Sequence, residues 1–220
     1  MNDQRWEGFS GRGFMAACAA LCLSFCFAAH VLAQEKPRVL VLGDSLSAAY
    51  GFEERLGWVA LFTQKLDAEG HDMEVVNASI SGETTQGALA RLPQLLRSQR
   101  PAVVIVELGA NDGLRGFPLS LTSANLQHII DLCLANEARV ALLGMRIPPN
   151  YGRKYADEFY ALFPQLAQVN EITFVPFFLD GVAGDMTLVQ ADGLHPTAQA
   201  QPALLANIWP PLAELLAEIR

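Results

Sequence analysis

The chain has 220 residues, 51% hydrophobic and 17% charged, with a formal net charge of −8. That supplies enough apolar material for one sizeable core. The acidic balance disfavours nucleic acid and anionic membrane surfaces as electrostatic partners.

The first segment reads differently from the rest. Arg5 and Arg12 precede an apolar run over residues 14–29, followed by Val31 and Ala33, small enough for the −3 and −1 positions of a cleavage site before Gln34. The run is too short for a spanning helix. The expectation is a cleaved signal peptide over 1–33, a single domain over 34–220, and a periplasmic or secreted protein with no stable membrane anchor. Cys18, Cys22 and Cys26 lie in the segment to be removed, which leaves Cys133 alone and no intramolecular disulfide. Removal takes away two acids (Asp3, Glu7) and two bases, so the charge stays at −8.

Five short apolar, β-branched-rich runs follow, at 38–42, 73–76, 102–107, 139–144 and 172–178. Helical segments alternate with them. The clearest covers 122–135, where Leu126, Ile129, Ile130, Cys133 and Leu134 recur at helical spacing and form a core stripe, with His128 off it. Pro93 is expected to kink or split the helix after the second strand. Continuous apolar strands alternating with helices predict a parallel sheet covered on both faces, a doubly wound three-layer α/β/α domain. Ligands of such sheets sit at the carboxyl ends of the strands.

The strand exits carry small polar residues. The first gives "GDSLS" (43–47), the second "NASISGET" (77–84) and the third "ELGANDG" (107–113); "DGLHP" (192–196) lies in a loop before the last helical segment. Of the histidines after residue 34, His71 falls in a polar turn and His128 on a solvated face. His195 alone stands beside a carboxylate in such a loop. A serine hydroxyl needs a base to become a nucleophile, and imidazole has a suitable pKa. The base needs an acceptor that fixes its tautomer, and Asp192 is three residues away. The oxyanion formed on attack needs waiting donors: the backbone N–H groups of Ser45 and Gly82 and the side chain of Asn111. Glu107, Asp112 and Asp192 lack metal-ligand spacing, so they are not read as a metal site.

At these residues the chain resembles the SGNH or GDSL serine hydrolases, whose initials match Ser45, Gly82, Asn111 and His195. "NASISGETTQGALARLPQLL", "VELGANDGLRGF", "IPPNYGRKY" and "DGLHPTAQAQP" resemble the bacterial periplasmic branch of thioesterase, lysophospholipase and arylesterase enzymes. The resemblance implies a flavodoxin-like three-layer fold with a five-stranded parallel sheet and no cofactor. It also implies hydrolysis of small acyl esters and thioesters, with lysophospholipid among the candidates; a monomer is expected. Residues 113–117 match a mobile element beside the acyl groove in that branch. Leu114, Phe117, Ile147 and Pro148 are expected to line that groove. Two alternatives share the architecture: a carbohydrate acetyl esterase, and a flavin- or phosphate-binding module. Asp44 in the first exit loop argues against the second, because it stands where an anion would bind.

Overall fold

The computed structural model describes residues 1–2 and 35–219, so the export segment expected over 1–33 lies almost wholly outside the described residues. Residues 36–220 form one compact unit. Its five strands are β1 (Arg38–Gly43), β2 (Glu74–Asn77), β3 (Val103–Glu107), β4 (Arg139–Leu143) and β5 (Thr173–Val175). They form one parallel sheet in the order β2-β1-β3-β4-β5. The helices are α1 (Trp58–Ala68), α2 (Thr85–Gln99), the short α3 (Ala110–Leu114), α4 (Leu119–Ala135), α5 (Arg153–Asn170) and α6 (Gln201–Ala217). Helices α1 and α6 pack together on one face, while α2, α4 and α5 form a row on the other. No helix among the described residues is long and apolar enough to cross a membrane.

The central strands are apolar on both sides because both sides are covered. Val39–Leu42 in β1, all of β3 and four of the five residues of β4 are buried. Trp58 and Phe62 of α1, Phe159 and Phe163 of α5, and Phe178 fill the space between layers with no exposed surface. Leu126, Ile129, Ile130 and Cys133 of α4 are buried as their spacing requires, and burial pushes the Cys133 thiol up to about 12. His128 is exposed as expected.

Four expectations need correction. Leu134 is not in the α4 stripe; it is 41% exposed, one residue beyond the buried arc. The same helix starts at Leu119 rather than 122, because Pro118 sets the entry and its carbonyl accepts from Leu121 and Thr122 N–H. Pro93 does not split α2, which runs unbroken. The buried face of Ala88, Leu92 and Leu96 outweighs the one hydrogen bond that proline forfeits. Strand β5 ends at Val175 rather than 178, since Pro176 has no N–H to continue the ladder.

Strand order reverses between β1 and β3, whose last residues, Gly43 and Glu107, lie in register. That switch point opens a crevice at the carboxyl end of the sheet. The exits of β1, β2 and β3 all reach it.

Candidate active site

The site begins with a turn that only glycine can enter. A Cβ on Gly43 would stand 2.7 Å from Ser47 Oγ and 2.8 Å from Glu107 Oε2. Those two groups hold the turn from below. Glu107 Oε2 accepts from Ser47 Oγ at 2.7 Å and from the backbone N–H of Asp44 at 3.2 Å. Trp58 Nε1 donates to Ser47 Oγ at 3.2 Å, and Asn77 Nδ2 to the Ser47 carbonyl at 2.9 Å. Asp44 Oδ1 accepts from Leu46 N–H at 3.0 Å, a side-chain-to-backbone bond typical of aspartate in turns. Asp44, Ser47 and Glu107 thus brace the turn together.

Ser45 emerges from the turn 9% exposed, with Oγ 2.8 Å from His195 Nε2. His195 Nδ1 lies 2.7 Å from Asp192 Oδ2. With a carboxylate facing Nδ1, the proton belongs there and Nε2 is left to accept from the serine. Asp192 Oδ1 accepts the backbone N–H groups of His195 and Leu194 at 3.0 and 2.9 Å. These two bonds hold its pKa down at about 2. Gly193 between them takes φ +72°, the left-handed turn that lets one short loop present both side chains.

Two residues that sequence reading missed fix this loop. Gln190 Nε2 donates to the carbonyls of Tyr50 and Pro196 at 2.8 and 2.9 Å, and its N–H donates to the His195 carbonyl at 2.7 Å. The Tyr50 ring packs on the imidazole with centroids 4.4 Å apart. Neither sits in a recognisable motif. Gln190 and Tyr50 stand 140 residues apart in sequence.

The expected oxyanion donors approach from the other exits. Asn111, in α3 just after β3, donates Nδ2–H to Asp44 Oδ2 at 3.0 Å. Its second amide hydrogen is not used in that bond. Gly82 takes φ +78° in the turn after β2, and its carbonyl accepts from Arg115 at 3.0 Å. Next to Asn111, Asp112 is fully buried at the start of α2, where it accepts from Thr85 N–H at 2.9 Å and from the Thr85 hydroxyl. It anchors α3 to a helix N-terminus. Among the described residues no cluster of three metal-ligating side chains occurs.

A cleft of about 190 Å³ opens beside Ser45 and His195. Leu114, Ile147 and Pro148 line it, together with Leu46, Leu179 and Leu194, which sequence reading did not include. Phe117 is not among its lining residues; the Phe117 carbonyl instead accepts from the Tyr155 hydroxyl at 2.7 Å. A larger hollow of about 520 Å³ runs past Arg139, Pro210 and Pro211, at the amino end of β4. It holds no nucleophile beside a base, so the smaller cleft is the one with chemistry in it.

Residues 41–202 match the model of the GDSL-like lipase/acylhydrolase family. Among relatives, the chain is 48% identical over 199 residues to the esterase TesA of Pseudomonas aeruginosa, covering 90% of this chain and 99% of that one. It is 44% identical over 164 residues to the thioesterase 1/protease 1/lysophospholipase L1 of Escherichia coli, covering 74% and 77%. The crystal structure of TesA superposes with a TM-score of 0.79 at 49% identity, covering 81% of this chain and 99% of that one. With the serine–histidine–aspartate arrangement already in view, the chain belongs to the GDSL-like lipase/acylhydrolase family and is an ester hydrolase.

Proposed function

We propose that the chain hydrolyses carboxylic esters and acyl thioesters through an acyl-enzyme on Ser45. The observation that carries this reading is the continuous path from Ser45 Oγ through His195 to Asp192, at 2.8 and 2.7 Å. His195 Nε2 takes the hydroxyl proton as Oγ bonds to the acyl carbon. The carbonyl oxygen becomes an oxyanion that meets the N–H groups of Ser45 and Gly82 and the free amide hydrogen of Asn111. As the tetrahedral adduct collapses, the imidazolium returns its proton to the departing alcohol or thiol. Water then repeats the sequence on the acyl-enzyme and releases the acid. Asp192 keeps the histidine tautomer and offsets the imidazolium charge.

Substrate preference follows from the cleft. Leu114, Ile147, Pro148, Leu179 and Leu194 offer an apolar surface to an acyl chain. The names of the relatives, an esterase and a thioesterase/lysophospholipase, support simple esters, thioesters and lysophospholipids as substrates. Residues 1–33 are read as an export signal and 34–220 as the active, monomeric domain in the periplasm or outside the cell.

The test is kcat/KM of residues 34–220 on 4-nitrophenyl esters from acetyl to palmitoyl, with Ser45→Ala as the blank. Each buried methylene contributes about 0.8 kcal/mol, or about fourfold in kcat/KM. The expected result is a rise from acetyl into the medium chains and no turnover by a folded Ser45→Ala protein. A maximum at acetyl with a steep fall transfers the assignment to the acetyl esterase reading. Turnover retained in Ser45→Ala removes the nucleophile.

A further inference from the structure

Beneath the nucleophile turn lies a carboxyl pair that the hydrolytic steps do not use. Glu107, the last residue of β3, has no exposed surface, and Asp44 is 1% exposed. The two sit side by side, with Glu107 Oε2 accepting the backbone N–H of Asp44 at 3.2 Å. Two carboxylates this close in a buried site repel when both are ionised, so one of the pair keeps its proton.

The surrounding bonds decide which one. Both oxygens of Asp44 accept, Oδ1 from Leu46 N–H and Oδ2 from Asn111 Nδ2–H. Glu107 Oε2 also accepts twice, from Asp44 N–H and from the Ser47 hydroxyl. That hydroxyl spends its single hydrogen on Glu107, while its oxygen receives Trp58 Nε1–H. Only Glu107 Oε1 is left, buried and accepting no hydrogen bond. An ionised oxygen in that position would be desolvated and uncompensated.

We propose that Glu107 is a positioning residue kept as a neutral carboxylic acid, whose Oε1–H donates to Asp44 and so fixes Asp44 as the acceptor that aims the Asn111 amide. The proposal rests on the reading of Ser45 and Asn111 given above. Burial, then the Asp44 charge, push Glu107 well above the usual carboxylate range, and burial raises Asp44 to about 6. Near neutral pH this leaves the charge on Asp44 and the proton on Glu107. The other titratable group facing the pair is His195, whose charge favours ionised Asp44.

Infrared spectroscopy reads the proton without turnover. At pH 7, folded Ser45→Ala protein should show the carbonyl stretch of a neutral carboxylic acid, and Ser45→Ala/Glu107→Gln should lose it. Because this arm needs no nucleophile, it stands or falls separately from the assignment of Ser45. In the active protein, glutamine replaces the O–H donor with an N–H donor. Glu107→Gln should therefore keep kcat within about threefold, whereas Glu107→Leu should lose about tenfold or more with KM little changed. That loss should nearly vanish in an Asn111→Ala background, since the effect travels through Asn111.

Stability supplies a further arm. A carboxyl whose folded pKa is raised contributes stability below its ordinary value of 4.5 and loses it as pH rises toward the folded value. Glu107→Gln should therefore gain on the native protein in Tm as pH rises above about 4.5. Absence of the infrared band, equal damage by glutamine and leucine, or a leucine penalty undiminished in Asn111→Ala would each overturn the proposal. If Glu107→Leu does not fold, the band and the glutamine variant decide alone.

Discussion

At the residue scale, the site works through fixed polar groups rather than through many contacts. Asn111 has one amide hydrogen held by Asp44 at 3.0 Å, so the amide is oriented before substrate arrives. Preorganised donors of this kind act on the transition state more than on the bound substrate. Asn111→Ala should lower kcat by about 10²–10³-fold with KM little changed, read from steady-state kinetics on one medium-chain ester. A change confined to KM would mean that Asn111 only binds substrate. Asp192 is held at about 2 by two backbone N–H groups, so its charge persists far into acid. Its folded pKa is depressed, so its stabilising contribution is present above the ordinary value near 4 and fades as pH falls through about 2. The candidates Ser45, Gly82, Asn111, Asp192 and His195 stood out in the sequence because each lies in a polar break beside a strand or helix. Glu107 was not legible in its role, because in sequence it closes an apolar run and its Ser47 partner lies 60 residues away.

At the element scale, the exit of β1 couples fold to function. The absent Cβ of Gly43 makes room for Ser47 Oγ and Glu107 Oε2, and both are buried and hydrogen-bonded. Gly43→Ala must push these groups apart. A loss of about 1–3 kcal/mol in stability by denaturant midpoint is expected, together with a fall in turnover. Full stability with full activity would show that the turn has slack. The strands were legible because burial on both faces turns them into uninterrupted apolar runs. Element ends were less so: Pro176 cuts β5 short, and Pro118 starts α4 three residues early. Helix α3 was not anticipated, since five residues give no periodicity to read. Pro93 does not split α2, because tertiary packing of Leu92 and Leu96 outweighs local propensity.

At the scale of the whole molecule, topology performs the assembly. The order β2-β1-β3 brings three exits to one rim, and the loop before α6 returns His195 to Ser45 across 150 residues. Pairing and strand order were not in the sequence pattern itself; they follow from covering a parallel sheet on both faces. The loop bearing Asp192 and His195 is then tied to the loop after β1 by Gln190 and Tyr50. Cys133, the one cysteine among the described residues, is free and buried in α4. One acyl-accepting serine per chain is the central claim. The intact mass of residues 34–220 after exposure to an alkyl fluorophosphonate, followed by peptide mapping, tests it. A single phosphonyl adduct per chain is expected on the peptide bearing Ser45, with complete loss of esterase activity in step with labelling and no adduct in Ser45→Ala. Labelling elsewhere, or activity that survives full labelling, would contradict it.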